Sequence, residues 1–145
     1  MMNTWMQLAL SVLGLGVMGL SMAHADEPKT DKKTDARVFE LRVYYANPGK
    51  MEALHARFRD HTNKLFEKHG MTIIAFWNPT DPKEAERKLI YVLAFPSQEA
   101  AKKSWQAFRD DPDWMKAKAE SEKNGVLVEK VESTYMNATD YSPIK

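Results

Sequence analysis

Three histidines (His55, His61 and His69), two tyrosines (Tyr45 and Tyr91) and the pair Glu40 and Arg42 are the side chains whose types and spacing best suit chemistry in this sequence. All three histidines fall on one helical stretch, which raises the question of a metal. An α-helix rises about 1.5 Å and turns about 100° per residue, so His55 and His69 share a face but stand about 20 Å apart, while His55 and His61 point roughly 120° apart. Glu52-Ala53-Leu54-His55 has the Glu-x-x-His spacing of a carboxylate-bridged metal helix, but such a site needs a second copy of the motif and further carboxylates. The sequence has no second copy of that motif, so no metal is expected, and no cofactor.

His61 differs from its companions because it sits within an apolar stripe, between Phe58 and Leu65. It reads either as a core histidine satisfied by one hydrogen bond or as a polar group in a pocket between helix and sheet. Tyr45 and Tyr91 are placed to line the same space. Glu40 and Arg42, two residues apart on one strand face, read as a cross-strand ion network completed by Lys130 and Glu132; the alternative is that Arg42 holds an anionic ligand. The candidate ligand-binding set is therefore Arg42, Tyr45, His61 and Tyr91. No nucleophile elbow, phosphate-cradling glycine loop or cysteine appears.

The elements that must position these groups begin at Arg37 to Ala46. Phe39, Leu41, Val43 and Tyr45 alternate with Glu40, Arg42 and Tyr44, which predicts a strand with the apolar set toward a core. Asn47-Pro48-Gly49 ends it. Lys50 to His69 follows a helical period with Met51, Leu54, Phe58, His61 and Leu65 as the buried stripe, closed by Gly70. Met71 to Trp77 and Leu89 to Phe95 are apolar on both alternating sets and predict strands covered on both sides. A polar loop, Asn78 to Lys88, joins them. Ser97 is a predicted N-cap for a helix from Gln98 to about Arg109, with Ala101, Trp105 and Phe108 buried. Asp111-Pro112 restarts a helix carrying Trp114 and Met115. A last, outer strand runs from Val126 to about Met136.

The order β-α-β-β-α-β is the ferredoxin-like α+β arrangement: a four-stranded antiparallel sheet with two helices on one face. Its other face is left open. Ile74, Phe76, Ile90 and Val92, or their alternates, would make that face more apolar than monomers usually expose, so a homodimer packed sheet to sheet is expected.

Residues 1–25 carry no charged side chain and contain an apolar run from Leu8 to Leu20, followed by Ala23-His24-Ala25. The run is short for a membrane span, and the small residues fit a signal-peptide cleavage site after Ala25. A periplasmic or secreted protein is expected, with no stable membrane insertion after cleavage. Residues 26–36 read as a solvated charged leader, and residues 37–140 as one domain. The sequence has 21 basic and 20 acidic side chains and no cysteine. Near-balanced charge gives no footprint for nucleic acid, and a cysteine-free exported domain is held by its core and partner subunit, not by disulfides.

Several pieces in sequence, Phe39-Glu40-Leu41-Arg42-Val43-Tyr44, Pro48-Gly49, Phe76-Trp77, Tyr91 to Ser97, Trp105, Phe108 and Asp111-Pro112-x-Trp114, resemble the NIPSNAP domain family over Val38 to Tyr135. The resemblance implies a ferredoxin-like dimeric α/β barrel, related to antibiotic-biosynthesis monooxygenase and EthD-type domains. In such barrels small organic molecules bind between helix and sheet. Two functions follow as expectations: small-molecule binding or protein interaction, or alternatively a cofactor-independent monooxygenase or related small-molecule enzyme. In the second, His61 is the candidate catalytic residue, acting as base, with the tyrosines as orienting donors.

Overall fold

The computed structural model describes residues 37–145; the expected signal peptide and charged leader lie outside the described residues. Strand β1 (Val38–Ala46) leads into α1 (Met51–Arg57), a π-helical turn (Phe58–Thr62) and α2 (Asn63–Lys68). Then come β2 (Thr72–Trp77), the short α3 (Pro82–Ala85), β3 (Lys88–Phe95), α4 (Gln98–Arg109), α5 (Pro112–Ser121) and β4 (Val128–Asn137). The strands form one antiparallel sheet in the order β2-β3-β1-β4, the ferredoxin-like order with β2 and β4 at the edges. Among the described residues no helix is long and apolar enough to cross a membrane.

Local chemistry explains the boundaries. Ser97 Oγ accepts from the Ala100 amide at 3.1 Å and Asp111 Oδ1 from the Asp113 amide at 2.8 Å, so α4 and α5 both start on side-chain caps. Gly70 adopts φ 72° at the end of α2, a left-handed conformation that a Cβ would strain. The segment expected to be a polar loop contains α3, because Asp81 caps it by accepting from the Glu84 amide at 3.0 Å, and Pro82 occupies its first turn.

Two expectations are corrected. The apolar set of β1 does not face the core. Glu40, Arg42 and Tyr44 lie beside Leu93, Tyr91 and Leu89 of β3, on the side covered by helices, whereas Phe39, Leu41, Val43 and Tyr45 lie on the open side. The reason is that β1 crosses beneath α4, whose Trp105 offers a polar N–H to the strand, and the charged pair is desolvated together with that partner. The helix stripe also changes phase. The π-turn takes up one extra residue, with the Asn63 amide bonding back to the Phe58 carbonyl. Thr62 is therefore buried where His61 was expected, and His61 is exposed. Thr62 is satisfied internally, its hydroxyl donating to the Arg57 carbonyl at 3.2 Å.

The core between helices and sheet is aromatic. Phe58, on the π-turn, has ring centroids at 5.7 Å from Tyr44, 6.1 Å from Phe66, 5.6 Å from Phe76 and 5.4 Å from Tyr91, mostly edge to face. In β2 a bulge between Ile73 and Ala75 lets Ile73 and Phe76 pack on this core. Phe76 is thus on the covered side, not the open one. Arg57, outside the apolar stripe predicted for this helix, is buried and joins α1 to α5 through Glu122 at 3.0 Å, with its guanidinium over Trp114 at 5.2 Å.

Candidate functional site

Beneath α4, at the edge of the sheet where β1 meets β4, a polar cluster is built into the wall of the core. Glu40 is 1% exposed. Its carboxylate accepts from Arg42 Nη1 at 2.7 Å, Trp105 Nε1 at 2.6 Å and Ser133 Oγ at 2.6 Å. Each donor comes from a different element: β1 itself, α4 and β4. Register explains the convergence, since Arg42 lies opposite Ser133 and Glu40 opposite Tyr135, while the cap at Ser97 fixes the phase that turns Trp105 downward.

Arg42 spends little of its bonding capacity on the protein. Its guanidinium sits 4.2 Å from the Trp105 ring centroid and 5.6 Å from that of Tyr44, a stacking that suits the flat cation. Glu40 is the acceptor it reaches among the described residues, and its Nε is buried without a partner. Burial pulls its pKa down, but Tyr44, Tyr91 and Glu40 outweigh that and the net shift is upward, so the cation is held. Tyr91, directly opposite Arg42 in the sheet, is fully buried with an unpartnered hydroxyl. Burial, first, then Tyr44 push its pKa well above 10.0, which keeps it a neutral phenol.

The cluster opens into a cleft of ≈ 290 Å³ lined by Glu40, Arg42, Trp105, Ser133 and Tyr135, with Lys102 and Arg109 at its rim. Because three donors already occupy Glu40, the unspent charge in the cleft is positive. Burial raises the pKa of Tyr135, leaving a neutral hydroxyl donor in the wall. The arrangement can hold a small anion: a cation on an aromatic shelf, neutral hydroxyls beside it and basic side chains at the mouth.

The four residues expected to share one site are not brought together. Arg42 and Tyr91 are neighbours on the covered face. Tyr45 lies on the opposite face, its hydroxyl donating to Glu132 Oε2 at 3.0 Å, with the Lys88 and Lys130 ammonium groups 5.4 and 5.3 Å from its ring centroid. His61 lines a separate groove of ≈ 410 Å³ between the first helical segment and α5, together with Lys64, Lys68, Asp113 and Glu120. Lys130 and Glu132, expected as partners of Glu40 and Arg42, pair with each other at 2.5 Å on the open face, opposite Tyr45 and Val43. His69 meets Asp111 Oδ2 at 2.7 Å and Lys68 meets the same oxygen at 2.8 Å, a clamp between α2 and the cap of α5. His55 lies near Asn78 at 3.2 Å. Among the described residues no group of three or more His, Asp and Glu is placed to hold a metal.

The sequence reading missed Ser133, Tyr135, Lys102 and Arg109, and assigned Trp105 to the core alone. The available signal was Trp105 itself, since a buried indole N–H requires an acceptor and Glu40 is the acidic residue within β1. Finding Ser133 needed the β1–β4 register.

Comparison with known proteins agrees with this fold. A family model described as NIPSNAP matches residues 39–143. Two NIPSNAP family proteins of known structure from Agrobacterium tumefaciens are similar. One, of unknown function, has 17% identity and TM-score 0.65, covering 77% of this chain and 96% of that one. The other has 18% identity and TM-score 0.66, covering 75% and 99%. A NIPSNAP-like domain protein from Burkholderia xenovorans has 13% identity and TM-score 0.64, covering 75% and 90%. None of the curated proteins compared matches the chain.

Proposed function

The chain belongs to the NIPSNAP family, and from that premise we propose that it binds a small organic anion in the cleft beneath α4, without catalysing its conversion. The carrying observation is Arg42, a half-buried guanidinium that gives one of its five donors' worth of bonding to Glu40, keeps a buried Nε without a partner and faces a cleft rimmed by Lys102 and Arg109. Benzoate and inorganic phosphate, titrated by calorimetry, distinguish an organic from an inorganic anion. Binding of benzoate lost in Arg42→Met and weakened several-fold in Lys102→Ala and Arg109→Ala supports the reading. Equal binding in all three variants, or binding that depends on His61 instead, overturns it. The monooxygenase alternative needs a base within the enclosed space; His61 lines a different groove, and the Glu40 carboxylate is already fully engaged.

The protein also acts as a homodimer in this reading, because Leu41, Val43 and Ile90 leave an apolar surface on the open sheet face outside the residues that the chain beyond β4 packs against. An apolar face bordered by Lys88, Lys130 and Glu132 offers a partner both an apolar centre and a rim of mixed charge. Export to the periplasm or beyond remains part of the proposal, and a mature N-terminus at Asp26, read by peptide sequencing, is the outcome that supports it.

A further inference from the structure

The open face is not uniform. At its β1–β4 end the chain beyond β4 folds back over the sheet, and Phe39 is only 7% exposed there, although Leu41 and Val43 on the same side are half-buried. Arg37, just ahead of β1, donates through both Nε and Nη2 to the backbone carbonyl of Lys145, and Lys145 Nζ donates back to the carbonyls of Thr139 and Asp140. This strap does not seal against the sheet. It leaves a cavity of ≈ 340 Å³ walled by Phe39, Ile74, Val92 and Met136 from the sheet and by Ile144 from the strap.

We infer that this cavity is a second binding site, for an uncharged lipophilic molecule with a single hydroxyl or carbonyl. The chemistry of the walls selects it. Three further cavities each carry at least two charged side chains; among the described residues this one carries none, and its polar groups are Asn137 at the end of β4 and Thr139 and Ser142 on the strap. Such a lining, apolar with a few neutral polar groups, and a volume within the roughly 300–1,000 Å³ of small-molecule pockets are the usual make-up of a lipophile site. A carboxylate placed here would lose its water with no cation lining the walls. The strap supplies a route of entry, since it has no ladder of hydrogen bonds to the sheet and is tied at its far end by one arginine. The site lies on the opposite face of the sheet from Arg42, so it stands or falls independently of the anion cleft.

The test uses the full chain as its producing cell processes it, with the neutral fluorophore N-phenyl-1-naphthylamine as probe. Saturable binding is expected, displaced by 1-decanol, with decanoate weaker by roughly tenfold or more. Ile144→Glu, on the half-exposed strap and harmless to the core, should weaken probe and decanol by a similar factor, whereas Ile144→Lys should shift the preference toward decanoate. Val92→Arg fills the cavity from the sheet side, and the strap variants decide the matter if it does not fold. No saturable binding, decanoate as good as decanol, or indifference to both Ile144 variants overturns the inference.

Discussion

On β1, Glu40 and Arg42 lie beneath α4, while Leu41 and Val43, one residue along, face away from every helix of the subunit. The same contrast runs across β3, where Leu89, Tyr91 and Leu93 are buried by the helices and Ile90 and Val92 are not. The covered face has accepted a charged pair, and the open face has kept the apolar stripe. What separates them is the identity of the covering group. A helix that brings an indole N–H, together with a β4 hydroxyl, makes burial of a carboxylate affordable in hydrogen bonds, whereas an apolar stripe without a helix calls for cover from outside the fold. The strap answers that at one end only.

The largest effect expected from breaking this contrast comes from Glu40. Glu40→Leu leaves the half-buried Arg42 cation without its counter-charge and strips Trp105 Nε1 and Ser133 of their acceptor, which should destabilise the domain by about 3–5 kcal/mol. Urea unfolding measures it. Glu40→Leu combined with Arg42→Leu should recover the part of the loss that comes from the unpaired cation, because a well-packed apolar pair often equals the ion pair it replaces, while Trp105 Nε1 and Ser133 still lack their acceptor. If the double variant is no better than the single, the covered face needs its charge for more than pairing.

The open face responds differently. Ile90→Glu, half-buried and paired with Val43, should barely change unfolding of the isolated subunit but abolish the dimer. Sedimentation at micromolar concentration reads the outcome, and a dimer that survives both Ile90→Glu and Ile74→Glu removes sheet-to-sheet packing from the proposal. A smaller effect, of opposite sign, sharpens the comparison within the covered face. Tyr91→Phe deletes a buried hydroxyl that has no partner, and the domain should gain about 1 kcal/mol. A loss instead would mean that the hydroxyl is satisfied in solution, by a water or by a ligand shared with Arg42 Nε.

Much of this was legible in the sequence, and the illegible part has physical causes. The β-α-β-β-α-β order of the main elements, the ends set by Gly49 and Gly70, and the capped starts at Ser97 and Asp111 are local chemistry, and each stands where the sequence puts it. Alternation on β1 separated two sets of residues but carried no sign saying which set the helices would cover, because that depends on Trp105, some 65 positions away. His61 was misplaced by one inserted residue at Phe58–Thr62, and no composition rule announces a π-turn. Ser133 entered the site through strand register alone.

The smallest expected effect compares a carboxylate on the helix side with one on the open rim. Lys68, first, and then His69 hold the Asp111 carboxyl well below its ordinary 3.8, and Lys130 with Tyr45 lowers that of Glu132. A depressed folded pKa gives stability that is complete above the unfolded value and lost as pH falls through and below it. Asp111→Asn keeps the cap of α5 and removes only the charge, so its deficit against the unmodified protein should be constant from neutral pH down to about pH 4 and shrink below that. Glu132→Gln should show the same trend with a smaller deficit, since its pair with Lys130 is exposed to water on both sides. Urea midpoints between pH 6 and pH 2.5 decide the order. A larger deficit for Glu132→Gln would mean that the open rim is itself buried at those concentrations, as an interface between two copies requires, and the acid titration would then report on the dimer instead of on the helix clamp.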